Sequence, residues 1–483
     1  MPLSPAYRPD PRHLSLGPEL SDPATPASFP AHRLRFRNQR HAATVGLDTL
    51  SDSEWLDHLA RFHPLPDNLE RPLALRYHGH QFLSYNPYLG DGRGFLFAQL
   101  RDGQGRLLDL GTKGSGTTLY SRGGDGRLTL KGGVREILAT ELLEARGVDT
   151  SKTLSIVETG EELDRHDEPS PTRAAVMVRL SHGHVRIGSF QRLHYQRQKA
   201  ELDRLLRYAA ATYHPAIVDA PDLPAAFLGA VVRACADTVA AWMVAGFVHG
   251  VLNTDNINIS GESFDYGPWR FTPTCDPGFT AAYFDHSGLY AYGRQAAAVA
   301  WNLEQLAQCL QSLGQASTLS AALGSYRAEF ARAFVRRTVA GLGVQSRGEA
   351  ADQALTDAWW HWLEQSRVPF DQAWYDWYGG EAAESRARAS MLPYRGAAWE
   401  SVRGVLEGTL PARPEALAER YFKGGGPEGL LISEVEALWD SIDLKDDWGP
   451  LHRKIHRIRR MGRALGHGPP RAELDEQTGS LSS

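Results

Sequence analysis

The chain has 483 residues, room for two to four ordinary domains or one elaborated domain, and far too many for a small disulfide-stapled module. Lys and Arg number 52 against 57 Asp and Glu, a formal charge of −5, so no global attraction to nucleic acid or an anionic membrane is expected and any polyanion must be met by a local cluster. Hydrophobic residues at 42% and charged residues at 23% exclude a globally disordered chain.

The three cysteines, Cys235, Cys275 and Cys309, form no CxxC pair and have no metal-ligand spacing, so neither a disulfide framework nor a structural zinc site is expected. A reducing compartment follows, and the cytoplasm is the simplest. The N-terminus lacks a signal pattern, and the apolar run around Ala240–Leu252, interrupted by His249, is too short to span a bilayer. Neither a membrane nor nucleic acid is expected as a partner, and a monomer is the simplest state.

In chain order, residues 1–30 carry prolines at 2, 5, 9, 11, 18, 23, 26 and 30, which predicts an extended surface arm; with the segment that follows it forms an N-terminal lead-in over 1–74. Short apolar stretches at Phe95–Leu100, Leu107–Gly111 and Leu128–Lys131, separated by Gly and Asp turns, predict antiparallel strands. The pattern Val134–Ala145 predicts one helix among them, and Leu154–Val157 and Ala174–Leu180 two further strands. Residues 75–190 thus read as a sheet-rich nucleotide-binding lobe. A polar helix near Gln191–Ala211 and an apolar one near Ala225–Ala245 open a helical lobe over 191–310. Trp301–Leu313, Leu319–Val339, Ala350–Gln365, Ala397–Leu410 and Ile432–Trp439 predict a helical extension over 311–465, whose tryptophans at helical spacing are core residues. Residues 466–483, rich in Gly, Pro, Glu and Ser, read as a flexible tail.

Chemistry concentrates in His249-Gly-Val-Leu-Asn-Thr-Asp255-Asn256, followed by Asp265-Tyr266-Gly267. Protein kinases use His-Arg-Asp-Leu-x-x-x-Asn and then Asp-Phe-Gly, whose Asn and second Asp hold magnesium through hard oxygen ligands. His249 to Asn256 has that spacing, but Val251 stands where the kinase has its catalytic aspartate, and a carboxylate appears instead at Asp255. Upstream, Lys113 closes a strand and Glu136 lies in the following helix, the arrangement in which a kinase lysine pairs with a helix glutamate and touches phosphates. Gly90-Asp-Gly92-Arg93-Gly94 and Gly123-Gly-Asp125-Gly126-Arg127 can bring backbone N–H groups to phosphate oxygens. Each part alone has a plain structural reading: a polar turn, a surface ion pair, a hairpin that needs positive φ. Four parts in kinase order predict an α+β, protein-kinase-like bilobal fold. The displaced carboxylate leaves the function open between altered chemistry, ordinary γ-phosphoryl transfer and an inactive nucleotide-binding scaffold.

With these motifs the sequence closely resembles the selenoprotein O (YdiU-like) family, kinase-fold enzymes that transfer AMP from ATP to protein hydroxyls. The resemblance rests on His78-Gly-His-Gln-Phe82 with Asn86-Pro87, Leu89 to Arg93, Lys113 to Gly116, Tyr120-Ser-Arg122, Gly124 to Arg127, Arg135-Glu136, His249 to Asn256 and Asp265-Tyr-Gly-Pro268, and runs from about residue 75 to 310. It implies ATP bound in a flipped orientation, with the α-phosphorus facing the acceptor and pyrophosphate leaving. It implies nucleotide contacts from Gly90, Gly92, Arg93, Lys113, Asp125, Gly126, Arg179 and Arg186, with Glu136 holding Lys113. Asn256 and Asp265 would ligate Mg²⁺ or Mn²⁺, and Asp255 would be the general base acting on Ser, Thr or Tyr hydroxyls of acceptor proteins.

The chain departs from the family pattern at Leu119, at Lys131-Gly-Gly133, and in ending Gly479 to Ser483 without a cysteine, so control through a terminal thiol is not supported. Two His-Gly-His triplets, His78–His80 and His182–His184, lack a third metal ligand and are expected to bond locally or sit near phosphates.

Overall fold

Short apolar runs between glycine turns each bury a face when they pair. In the computed structural model, which describes residues 4–165, 168–390, 392–424 and 426–468, they assemble into an eight-stranded antiparallel sheet. Its order is Ser21–Pro23, Leu73–Leu75, Leu96–Arg101, Leu107–Lys113, Thr172–Ser181, Lys152–Leu163 and Arg33–Arg37, with Leu128–Thr129 also paired to Thr172–Ser181. The architecture is mixed α+β, with the sheet early in the chain and helices dominating after it.

The proline-rich start is the clearest departure from expectation. Ser21–Pro23 is an edge strand on Leu73–Leu75, and Leu16, Leu20, Ala24 and Phe29 are buried. Proline is tolerated there because an edge strand has a side that pairs with nothing. Arg33–Arg37 forms the opposite edge against Lys152–Leu163, so one lead-in segment supplies both borders of the sheet. The strand expected through Lys131 stops at Thr129, whose hydroxyl caps the next helix by accepting from the Gly132 N–H at 3.1 Å, and the helix runs Leu130–Ala145. The single helix expected near 191–211 is two, Ile187–Tyr195 and Lys199–Tyr213, broken where Arg197 turns left-handed.

Helix Leu223–Val244 is long and apolar enough to cross a membrane, with a mean hydropathy of 1.5 in its most apolar stretch. However, 72% of that stretch is buried, against helices that include Gln295–Leu310 and Tyr326–Gly341, so the composition is that of a core helix. The tryptophans Trp359, Trp362, Trp377 and Trp399 share one apolar cluster, as expected. Helices Phe370–Trp377 and Gly449–Leu465 were not foreseen. Helix Gly449–Leu465 hides its stripe of Leu451, Ile455, Ile458 and Met461 among six Arg and Lys residues.

Gly449–Leu465 packs along Leu130–Ala145, where Arg459 Nε donates to Glu141 Oε2 at 2.8 Å. Lys131 Nζ meets Glu436 of Ile432–Lys445 at 2.6 Å. The helix that carries Glu136 is therefore gripped by the sheet on one side and by the end of the chain on the other. Helix Gly449–Leu465 ends at Gly466, which has φ 88°. Most of the expected tail, residues 469–483, lies outside the described residues.

Candidate active site

Antiparallel register sets the first part of the site. Lys113 pairs with Met177 and Arg179 with Gly111, so Lys113 and Arg179 lie on the same face of adjacent strands, one diagonal step apart. Helix Leu130–Ala145 covers this face, packing Val134, Ile137 and Leu138 into a cluster with Ile156 and Met177. Glu136 on that helix receives Lys113 Nζ at 2.6 Å. Lys113 Nζ also lies 3.0 Å from Asp265 Oδ1, which Arg179 Nη1 approaches to 3.3 Å. Burial opposes ionisation of Asp265, yet the charges of Lys113, Arg179, Arg186 and Arg93 together hold its carboxyl well below the usual range. Asp265 keeps a left-handed backbone, φ 63°, a strained conformation of the kind that functional sites retain.

The loop bearing Asp255 is tied down on every side. His249 Nε2 donates to the Phe264 carbonyl at 3.0 Å, fixing the loop to the segment that carries Asp265. Thr254 Oγ donates to Gln191 Oε1 at 2.6 Å, and Asn302 Nδ2 donates to the Leu252 carbonyl at 2.8 Å. Asp255 itself is buried, and its Oδ1 has no hydrogen-bond partner among the described residues. Burial pushes its carboxyl up to about 6 against the pull of Arg186. Arg186 Nη1 donates to the Asp255 carbonyl at 3.3 Å, and its guanidinium stacks 4.1 Å over the Tyr77 ring.

These groups border one cleft of about 780 Å³, within the range of small-molecule sites. Gly90, Gly92, Arg93, Lys113, Asp125, Gly126, Arg179, Arg186, Asp255 and Asp265 all line it. Its wall holds seven Arg and Lys against five Asp, so the cleft is locally cationic on an acidic protein. The glycines are sterically required: a Cβ on Gly94 would stand 2.1 Å from the Thr112 carbonyl oxygen, and Gly126 has φ 69° with the Gly116 backbone at 2.3 Å from any Cβ. Asp125 is held at the rim by Arg165 at 2.8 Å.

Two expected residues stand outside the wall. Glu136 sits behind Lys113, and Asn256 donates its amide to the Val251 carbonyl at 3.0 Å. Three of the four triplet histidines hydrogen-bond to neighbouring protein groups, while His182 Nε2 has no hydrogen-bond partner among the described residues. His78 meets Tyr85 at 2.8 Å and His80 meets Gln191 at 2.7 Å, while His184 Nε2 accepts from Arg179 Nε at 3.0 Å. Among the described residues no group of three or more His, Cys, Asp or Glu is placed to hold a metal ion. The structure adds Asp91, Tyr77 and Arg122 to the cleft wall and Phe264 beside Arg186. Asp91 and Arg122 sat in quoted motifs, whereas Tyr77 and Phe264, which stack on Arg186, carry no sequence signal that separates them from core aromatics.

A cationic, glycine-walled cleft with a lysine–glutamate pair and two carboxylates facing it defines a nucleotide-handling enzyme, and comparison with known proteins makes the chain a protein nucleotidyltransferase. It belongs to the family of the protein adenylyltransferase SelO, whose family model matches residues 5–459. The chain is 42% identical over 468 residues to the protein nucleotidyltransferase YdiU of Synechocystis sp. (strain ATCC 27184 / PCC 6803 / Kazusa), covering 92% of this chain and 96% of that one. It is 43% identical over 475 residues to the YdiU of Gloeobacter violaceus, covering 93% and 95%. To the YdiU of Vibrio cholerae serotype O1 it is 37% identical over 346 residues, 72% of this chain and 70% of that one. The similarity therefore reaches far beyond the 75–310 span read from motifs and takes in the sheet-edge lead-in and the helical extension.

Proposed function

We propose that the chain transfers AMP from ATP to Ser, Thr or Tyr hydroxyls of proteins and releases pyrophosphate, on a kinase-like bilobal scaffold with the nucleotide flipped. The observation that carries this reading is the pairing of a cationic cleft with buried Asp255, whose Oδ1 has no hydrogen-bond partner among the described residues, in a loop where Val251 replaces the kinase base. Asp255 takes the proton of the acceptor hydroxyl. The hydroxyl oxygen bonds to the α-phosphorus as the bond from that phosphorus to the pyrophosphate oxygen breaks. Negative charge grows on the departing pyrophosphate, and Arg93, Lys113, Arg179 and Arg186 are the cations available to stabilise it. Arginine suits this because its planar fork donates two hydrogen bonds to one phosphate. Glu136 holds Lys113 in line, and Gly90, Gly92, Asp125 and Gly126 cradle the nucleotide.

Asp265, on the cleft wall, fits a role as a Mg²⁺ or Mn²⁺ ligand, and Asn256, next to Asp255 but outside that wall, would be the second, because such ions take one or two protein oxygens and complete their shell with phosphates and water. Asp265 stays ionised, and Asn256 offers a neutral amide oxygen beside Asp255. When bound, the ion would supply charge neutralisation at the phosphates. The three cysteines are free and buried, which suits a cytoplasmic enzyme without disulfides.

ATP labelled at the α- or the γ-phosphorus tests the reading. Label retained on protein only from the α position is the expected result. Retention only from γ would establish phosphorylation, and retention from neither would leave a nucleotide-binding scaffold.

A further inference from the structure

The hairpin formed by Gly79–Gln81 and Ser84–Asn86 turns through Phe82 and Leu83, with Gln81 paired to Ser84. Both turn residues have left-handed backbone, φ 48° and 67°. A two-residue turn with both φ positive prefers Asn-Gly, since a bulky side chain is strained there. Burial compensates only in part: the Phe82 ring rests 5.1 Å from that of buried Tyr290, yet Phe82 remains 36% and Leu83 49% exposed. The Phe82 ring lies 5.8 Å from that of Phe284, itself 42% exposed, and Tyr283 beside it is 75% exposed. Two loops distant in sequence thus build one apolar surface patch.

The patch is fastened to the loop of Asp255. Phe82 N donates to Asn253 Oδ1 at 3.1 Å, Tyr290 OH donates to the same oxygen at 2.8 Å, and His80 N donates to Thr254 Oγ at 2.7 Å. Gln81 and Asp255 line the same cleft, so the patch continues that wall outward. Strain and exposed apolar surface coincide at two residues anchored just ahead of Asp255, a cost that the hairpin's fold alone does not require.

We infer that Phe82, Leu83 and Phe284 form the docking face for the acceptor polypeptide, receiving an apolar side chain that flanks the hydroxyl delivered to Asp255. This rests on the proposed AMP transfer. A protein nucleotidyltransferase must bring a polypeptide to its cleft, and this exposed apolar patch is fastened to the Asp255 loop and adjoins Gln81 of the cleft wall, away from the glycines and cations assigned to the nucleotide.

The test is Phe82→Asn/Leu83→Gly, which installs the sequence the turn prefers. Thermal stability should hold or rise, and nucleotide affinity should stay unchanged. Short synthetic peptides with one Ser, Thr or Tyr are then labelled from α-labelled ATP. Wild type should favour peptides with Leu or Phe near the hydroxyl, and the variant should lose roughly tenfold in kcat/KM on them, chiefly through KM. Phe284→Ser, on the other loop, should do the same. Equal labelling of polar-flanked and apolar-flanked peptides by wild type, no peptide labelling by a wild type that still labels whole protein from α-labelled ATP, or undiminished labelling by either variant would overturn the inference. So would a wild-type dimer that the double variant converts to monomer, since the patch would then join two copies. Label retained by wild type from γ rather than α refutes the transfer reading instead, before any variant is compared.

Discussion

Exchange of Lys113 for methionine separates what the lysine does for the fold from what it does for phosphate. Its side chain is 8% exposed and that of Glu136 2%, with 2.6 Å between Nζ and Oε1, so the pair is withdrawn from water. Removing the cation leaves Glu136 as an uncompensated buried charge and Asp265 with Arg179 as its remaining close cation. Breaking such a pair costs about 3–5 kcal/mol, whereas replacing both members with apolar groups is often neutral. Lys113→Met should therefore lower the unfolding free energy by about that amount in urea titration, and Lys113→Met/Glu136→Leu should recover most of it. Label transfer from α-labelled ATP should be lost in both, because neither restores the Lys113 ammonium to the cleft. Glu384→Gln, which breaks the exposed pair with Arg388, is the control and should change stability by less than about 1 kcal/mol. A Lys113→Met protein as stable as wild type would show that the pair is not desolvated. Transfer by the double variant would show that Lys113 does not act on phosphate.

Asp255→Asn should keep nucleotide affinity while slowing transfer by roughly 10²–10⁴, and an unchanged rate would remove it from the role of base. Because burial pushes Asp255 up to about 6, the base is ionised above that value, and wild-type transfer should fall as pH drops through it while the residual Asn rate does not follow. Gly94→Ala drives a methyl against the Thr112 carbonyl oxygen, a backbone atom that cannot swing aside, and should abolish nucleotide binding measured by calorimetry. Burial and nearby Asp149 push the Glu262 carboxyl up, so the folded chain holds a proton that the unfolded chain has already released. Its stabilising contribution is complete below the ordinary glutamate value and is lost as pH rises through the folded one. Glu262→Gln should flatten that decline in urea titrations from mildly acidic to mildly alkaline pH.

Much of this site was legible because phosphate chemistry writes in short, local words. Lys113, the two glycine loops, Asp255 and Asp265 could be picked out singly, and the structure brings them to one cleft. What tied them together could not be read. The diagonal placement of Arg179 beside Lys113 depends on strand register, a pairing between residues more than sixty positions apart. Tyr77 and Phe264 supply ring faces to Arg186, and nothing local marks an aromatic residue for that purpose. The lead-in was misjudged because proline density argues against regular structure, while an edge strand needs only three residues and tolerates proline at its open side. Helix Gly449–Leu465 escaped notice for the opposite reason, since its basic residues outnumber the apolar ones that make its buried stripe.

Because the last described helix clamps the helix that carries Glu136, the order of synthesis bears on when the enzyme can work. A growing chain has made its cleft residues long before Gly449–Leu465 exists to brace Leu130–Ala145, so the seating of Glu136 behind Lys113 draws on a segment 318 positions further along at the Arg459–Glu141 contact.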